Sequence, residues 1–502
     1  MLLRALRPVV RAAAARGARR AQHAQHPSPP PSAGASVARR AVAAGSSTPH
    51  GAACGGGCAS SAAPASDAGA THSGASANAL GSAAASSPPG ALAAAPLEGG
   101  GAAAAEPYAL EAPAAGAPRS VDGQRVALLG MRRVELATWL APLDPRPAAR
   151  AEQLFAQLYR HAEPLATAAA VSRRFRERVE PLADCCGDLA LASVAAAADG
   201  TRKLVFRLAD AGGGSIESVI IPARNGERTT LCVSSQLGCA LNCQFCLTAR
   251  MGLRRHLSAA QIVGQVLAAK QLLKAEGAPP LDNIVFMGMG EPLHNLEAVL
   301  CAVDILVDPA GFAFSRNRVT VSTSGLVPPL KRFLAESPAN LAVSLNATDD
   351  RVRSWIMPVN RKYPLEQLLG ALREGFPRRG AGRNQDRVFF EYVMLDGVND
   401  TDGDRERLVA IATSVPCKVN LIEFNAHAGS EFKPSPRERV RAFRDALAAA
   451  GVTATIRESR GDDAMAACGQ LGRPDEQEAW VPPPPRMKPP KAMREAAAAA
   501  PA

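Results

Sequence analysis

Aromatic residues are scarce. Phe, Trp and Tyr make up 4% of the 502 residues, although 47% of the chain counts as hydrophobic. A large part of that 47% is alanine, which buries little apolar area. A chain packed throughout is therefore excluded. Ala-, Ser-, Gly- and Pro-rich stretches do not offset the entropy of ordering them. Half of the 40 Pro fall in residues 1–118 and 475–502. About 350 residues remain for folding, enough for one large core and a small accessory domain. Acidic residues are absent from the first 66 positions, which hold eight Arg, and Asp67 is the first acid. The formal charge of +11 is therefore mostly local, with about +3 left for the rest of the chain. Bulk charge alone does not establish a nucleic-acid partner. No run of strongly apolar residues reaches the roughly 18 that a membrane-spanning helix needs.

What is present falls into segments. The start, MLLRALRPVVRAAAARGARRAQHAQH, is Arg- and Ala-rich and acid-free, the composition of an organelle transit peptide for a mitochondrion or a plastid. Residues 1–118 read as this peptide followed by disordered low-complexity chain. Cys54 and Cys58 lie in that Gly-rich stretch, with no neighbours to complete a metal site. Residues 119–200 read as a helical accessory domain. Leu154, Phe155, Leu158 and Tyr159 share one stripe, and VSRRFRERVEPLADC presents a basic face suited to RNA backbone or simply to water. Residues 475–502 return to Pro, Ala and Lys and read as an untied tail.

Between them the periodicity changes. Lys203–Leu208 and Ile216–Ile221 predict a β-hairpin. After Thr229 strands alternate with helices, beginning with Leu231–Ser235 and a helix over Ser258–Glu276 that carries a Ser258-x-x-Gln261 capping box. Further strands are expected at Asn283–Met287, Val319–Thr323, Leu341–Leu345, Val388–Leu395, Lys418–Phe424 and Thr453–Arg457. About six βα units result, an α/β fold with parallel strands. An incomplete barrel over residues 201–474 suits six units better than a closed eightfold one, and an open doubly wound sheet competes with it.

The informative residues are the cysteines. Cys239, Cys243 and Cys246 form C-x3-C-x2-C in one short loop after a strand, with Phe245 before the last. An organelle interior favours metal or redox duty over structural disulfides. Zinc takes four protein ligands in structural sites. Three thiolates on a four-iron, four-sulfur (4Fe–4S) cluster leave one iron open, the arrangement of radical S-adenosylmethionine (SAM) enzymes. A second motif, IVFMGMGEPL, places Gly290 and Glu291 after a strand, where backbone can approach a ligand and a carboxylate can accept from an ammonium. Ser322, Ser344, Leu345, Asn346 and Asn425 stand at other strand ends, where ligand sites of such folds gather. Cys301 and Cys417 read as core, Cys185–Cys186 as bystanders, and His294 as a loop histidine.

LCVSSQ-GC, GMGEPLHN, VSTSG, SLN and RGDD..AACGQL occur in that order over residues 122–475. In these the chain resembles the RlmN/Cfr family of radical-SAM RNA methyltransferases. The resemblance implies a partial (β/α)6 radical-SAM barrel, a 4Fe–4S cluster on Cys239, Cys243 and Cys246, and SAM held by Gly290, Glu291 and the polar strand ends. It implies methylation of adenine C2 in large-subunit ribosomal RNA, with transfer RNA as a second substrate class and two SAM consumed per methyl. By the same resemblance Cys468 carries the methyl, Cys232 resolves the protein–RNA link through a disulfide, and Glu217 accepts the proton. The chemistry is coherent: adenine C2 has no lone pair with which to attack a sulfonium methyl, whereas a thiolate is a strong nucleophile. A monomer is expected, with a ferredoxin- or flavodoxin-like electron donor and no membrane. Two alternatives stay open, a C8-specific enzyme of the same mechanism and a non-catalytic Fe–S or zinc RNA-binding protein. One departure stands out. Many members have Asn-Pro after the late strand, where this chain has Asn425-Ala-His-Ala-Gly429.

Overall fold

Strand–helix alternation after Thr229 is realised as seven strands of a ten-stranded sheet. The computed structural model describes residues 125–162, 171–184, 188–209, 213–377, 387–472 and 484–499, all within one compact unit. Residues 1–118 with Cys54 and Cys58, and the Cys185–Cys186 pair, lie outside the described residues.

A short parallel pair, β1 (Val126–Ala127) and β2 (Ala183–Asp184), brackets the N-terminal helices. Strands β3 (Leu189–Ala196), β4 (Arg202–Leu208), β5 (Ser215–Pro222) and β6 (Thr229–Cys232) form an antiparallel run. A two-stranded excursion follows, β7 (Gln236–Gly238) with β8 (Leu253–His256). Then β9 (Leu281–Phe286), β10 (Val319–Thr323), β11 (Asn340–Ser344), β12 (Val388–Met394), β13 (Cys417–Glu423) and β14 (Thr453–Arg457) extend the sheet from β6, all parallel. The strand order β14-β13-β12-β11-β10-β9-β6-β5-β4-β3 leaves β3 and β14 unpaired at the edges, so the barrel is open. Six βα units precede β14, as the periodicity predicted.

The helices form for legible reasons. Helix Ala259–Glu276 starts at Ser258, whose Oγ accepts from Gln261 N while Gln261 Oε1 accepts from Ser258 N. It ends at Gly277, in the left-handed region at φ 64°. Its stripe of Ile262, Val266, Leu267 and Leu273 is buried against the sheet. The strands beneath carry Val319, Val321, Leu341, Val343, Phe390 and Tyr392 into the same core. Each fully buried aliphatic side chain contributes roughly 1.5–3 kcal/mol relative to exposure.

Two expectations need correction. The helical reading holds for Arg133–Leu140, Pro147–Phe155 and Arg173–Val179, and Leu154, Phe155, Leu158 and Tyr159 are buried as a stripe. It fails for Leu189–Ala196, which is an edge strand of the main sheet. Alanine there favours helix. Pairing with β4 and burial of Leu189 and Leu191 on alternate positions override it. The tail is also not untied throughout. Pro485 O accepts from Asn242 Nδ2 at 3.1 Å, Met487 N donates to Gln244 Oε1 at 2.9 Å, and Trp355 Nε1 donates to Met487 O at 3.0 Å. Residues 485–487 thus lie across the loop that carries Cys243. Backbone groups of a Pro-rich segment made these contacts, which composition does not reveal.

Candidate active site

The C-terminal ends of β9–β14 open into a cavity of about 1020 Å3. Cys239, Cys243 and Cys246 line it together, from the loop between β7 and β8. That loop is tightly held. Cys239 N donates to Gly252 O at 2.8 Å and Cys246 N donates to Cys243 O at 3.2 Å. Gly238 sits at φ 75°, and a Cβ there would collide with the Gly252 carbonyl. Burial pushes all three thiols up, Cys243 to about 12, and at Cys239 and Cys243 repulsion among neighbouring sulfurs adds to it. Metal binding here must displace protons, as thiolate sites do.

Opposite the thiols stands the GMGEP turn. A side chain at Gly288 would run into Val233 O, and one at Gly290, at φ 102°, into Gln236. Glu291 is buried. Its Oε2 accepts from Ser324 N at 2.8 Å, its Oε1 accepts from Leu293 N at 3.1 Å, and its own N–H donates to Gln236 Oε1 at 2.7 Å. Burial raises its carboxyl above the ordinary range. Ser322, Ser344, Asn346 and Asn425 line the same cavity, as expected. Asn346 adopts φ 54° and accepts from Val393 N. Leu345 does not line it, being fully buried, with its N–H donated to Glu391 O.

Cys468 joins the site from the far end of the chain. It lines the large cavity and also a neighbouring one of about 590 Å3, whose wall includes Cys232. Both cysteines are free thiols. Burial, then the proximity of Cys468, pushes Cys232 up to about 12. Cys468 keeps an exposed surface, yet protein around its sulfur raises the thiol while the Arg457 guanidinium opposes that rise. Asn425 Nδ2 donates to Cys468 O at 3.1 Å, so the departure after β13 leaves Asn425 supporting the thiol's loop. Glu217 lines neither cavity. Its carboxylate pairs with buried Lys203 at 3.3 Å and accepts from Gly472 N at 2.9 Å. His294 packs edge-on against His256, and Cys301 is buried in its helix.

Three charged residues at or behind the cavity escaped the sequence. Glu391 and Arg457 face the large cavity and pair at 3.4 Å across β13. Arg353 is fully buried behind the strand ends. Separation along the chain hides the first two, and the run DDRVRSW disguises the third as part of a solvated face.

The Radical SAM superfamily model matches residues 233–409. The Dual-specificity RNA methyltransferase RlmN of Geotalea uraniireducens is 48% identical over 328 residues, 65% of this chain and 91% of that protein. The RlmN of Syntrophobacter fumaroxidans is 46% identical over 339 residues, 67% of this chain and 95% of its own length. This chain belongs to the RlmN family. A solved radical SAM methyltransferase from Sphaerobacter thermophilus is 41% identical, with a TM-score of 0.62 over 69% of this chain and 98% of that one.

RlmN membership makes this a radical-SAM RNA methyltransferase whose cofactors are a 4Fe–4S cluster and SAM. The residues fit both. Among the described residues no three Cys, His, Asp or Glu side chains converge on a point that would hold one metal ion. Cys239, Cys243 and Cys246 line one cavity together, and a cluster takes one thiolate per iron, so three thiols there can hold three of its irons. Glu291, a buried carboxylate on the wall, suits an ammonium.

Proposed function

We propose that this RlmN-family enzyme methylates C2 of adenosine in large-subunit ribosomal RNA, and in transfer RNA, through a methyl carried on Cys468. The supporting observation is that Cys468 borders two cavities at once, one lined by the cluster thiols and the other by Cys232. A simple RNA binder has no use for two free thiols so arranged. When bound, the cluster and SAM supply a transferable methyl and a hydrogen-abstracting radical, at a cost of two SAM per product.

The protein's own groups do the rest. Cys239, Cys243 and Cys246 hold the cluster. Gly290 admits SAM by lacking a side chain, Glu291 receives its ammonium, and Ser322, Ser344 and Asn346 complete the wall. Cys468 sulfur holds the methyl as a thioether and then the adenine through the same carbon. Cys232 thiolate attacks Cys468 sulfur and forms a disulfide as the sulfur–carbon bond breaks; the electron pair stays with the bridging carbon, which takes up a proton from solvent to become the methyl on the base. Glu217 accepts the C2 proton, which requires its bond to Gly472 N to open. The base leaves its stack to reach Cys468, so unpaired or flexible RNA is the substrate. We further propose action as a monomer in an organelle, reduced by a ferredoxin- or flavodoxin-like donor.

Nucleoside mass spectrometry of RNA with and without the gene tests the reading. Loss of 2-methyladenosine is expected, and loss of 8-methyladenosine instead overturns C2 in favour of C8. Cys232→Ala should trap a covalent RNA adduct that migrates slowly on a denaturing gel. Cys468→Ala should retain the brown cluster and form neither adduct nor product. A colourless protein that binds one zinc defeats the proposal.

A further inference from the structure

Arg353 is a fully buried cation that has no anionic hydrogen-bond partner among the described residues. Its Nε donates to Leu345 O at 2.9 Å, Nη1 to Asn360 Oδ1 at 2.9 Å, and Nη2 to Ser324 O at 2.8 Å and Ser344 O at 3.1 Å. All four acceptors are neutral. The acid of its own helix, Asp350, is engaged elsewhere, accepting from Asn360 Nδ2 and Leu365 N, each at 2.8 Å. Burial lowers Arg353 to about 10, so it remains charged at neutral pH. A buried charge lacking a partner is strongly unfavourable. The fold tolerates one here, at the ends of β10 and β11, beside the cavity.

The cysteine loop stands close to this charge. Helix Asp350–Ile356, which carries Arg353, is tied to the cysteine loop by Gln244 N donating to Ile356 O at 2.9 Å. Cys243, the neighbour of Gln244, lines the same cavity as Ser324, whose carbonyl receives Arg353. Ser324 links the same groups: its carbonyl receives Arg353, and its hydroxyl faces the Cys243 thiol. We infer that Arg353 is the internal counter-ion of the iron–sulfur centre and eases its one-electron reduction. Three thiolates give the loaded site net negative charge, which the guanidinium compensates. Reduction adds a further negative charge, and a fixed cation close by favours the reduced state. Arg353 touches no substrate. It is a positioning residue that also holds Ser324, Ser344 and Leu345 in register.

Arg353→Gln and Arg353→Lys, reconstituted anaerobically, test this through a potential and a stability difference. Potentiometric titration should give a more negative midpoint for Arg353→Gln and a value near wild type for Arg353→Lys. Thermal unfolding of cluster-free and cluster-loaded protein should show a smaller cluster-dependent rise in Tm for Arg353→Gln, restored in Arg353→Lys. A purely structural role would lower both forms alike and leave the potential unmoved, and that result overturns the inference. If Arg353→Gln does not fold, Arg353→Lys decides, since it keeps the charge but loses the fork of hydrogen bonds. It is then compared with a second charge-removing variant, Arg353→Met: a midpoint clearly more negative in Arg353→Met than in Arg353→Lys supports the inference, and equal midpoints overturn it.

Discussion

A methyl group at Gly290 has no room. Its φ of 102° disfavours any L side chain, and a Cβ would approach Gln236 Cβ to 2.5 Å. Gly290→Ala should cost about 2 kcal/mol or more in stability and abolish SAM binding, read by thermal unfolding and calorimetry. Glu291 gives a pH signature. Burial raises its carboxyl, and an ammonium binds only the ionised form. SAM affinity should therefore fall on acidification, with an onset above the ordinary carboxylate range. Glu291→Gln should bind weakly with no such onset. For stability the sign is opposite: a raised carboxyl favours the folded state below its unfolded pKa, and that benefit is lost as pH rises through the folded value. Glu217 separates two roles. Glu217→Gln still offers Gly472 N an acceptor but no base, so adduct should accumulate while product falls. Full turnover by that variant excludes it as the proton acceptor.

Capping and strapping act at the scale of elements. Ser258→Ala leaves Gln261 N without its acceptor and should destabilise the protein by about 1 kcal/mol, seen as a lower denaturation midpoint. Segment 485–487 crosses the cysteine loop through Asn242, Gln244 and Trp355. Gln244 is buried and also donates to Asn242 O at 2.6 Å. Gln244→Ala strands Met487 N and Asn242 O at a cost of about 1–3 kcal/mol. The loop should loosen, and a chelator should remove iron faster than from the wild type. The helix capping box was legible because its residues are adjacent in sequence. The strap was not, because 243 residues separate Gln244 from Met487.

On the scale of the molecule, folding and cluster loading are linked. Burial drives the thiols towards their protonated forms without metal. Iron removal should lower Tm, and reconstitution should restore it in proportion to cluster content. The open edge between β3 and β14 leaves the sheet as an incomplete barrel. RNA should bind with an affinity that falls as salt rises.

Local chemistry was determined by the sequence alone. C-x3-C-x2-C, GMGEP and the Ser258 cap are short-range patterns whose meaning lies in neighbouring residues, and strands Val319–Thr323 and Thr453–Arg457 stand where alternation placed them. Tertiary structure decided what depends on distant residues meeting. It made Leu189–Ala196 a strand through its partner, withdrew Leu345 and Glu217 from the cavity walls, and brought Glu391 to Arg457. It also buried Arg353 behind the strand ends. Hydrogen bonding and desolvation depend on three-dimensional neighbours, and those neighbours exist only once the sheet has closed its register.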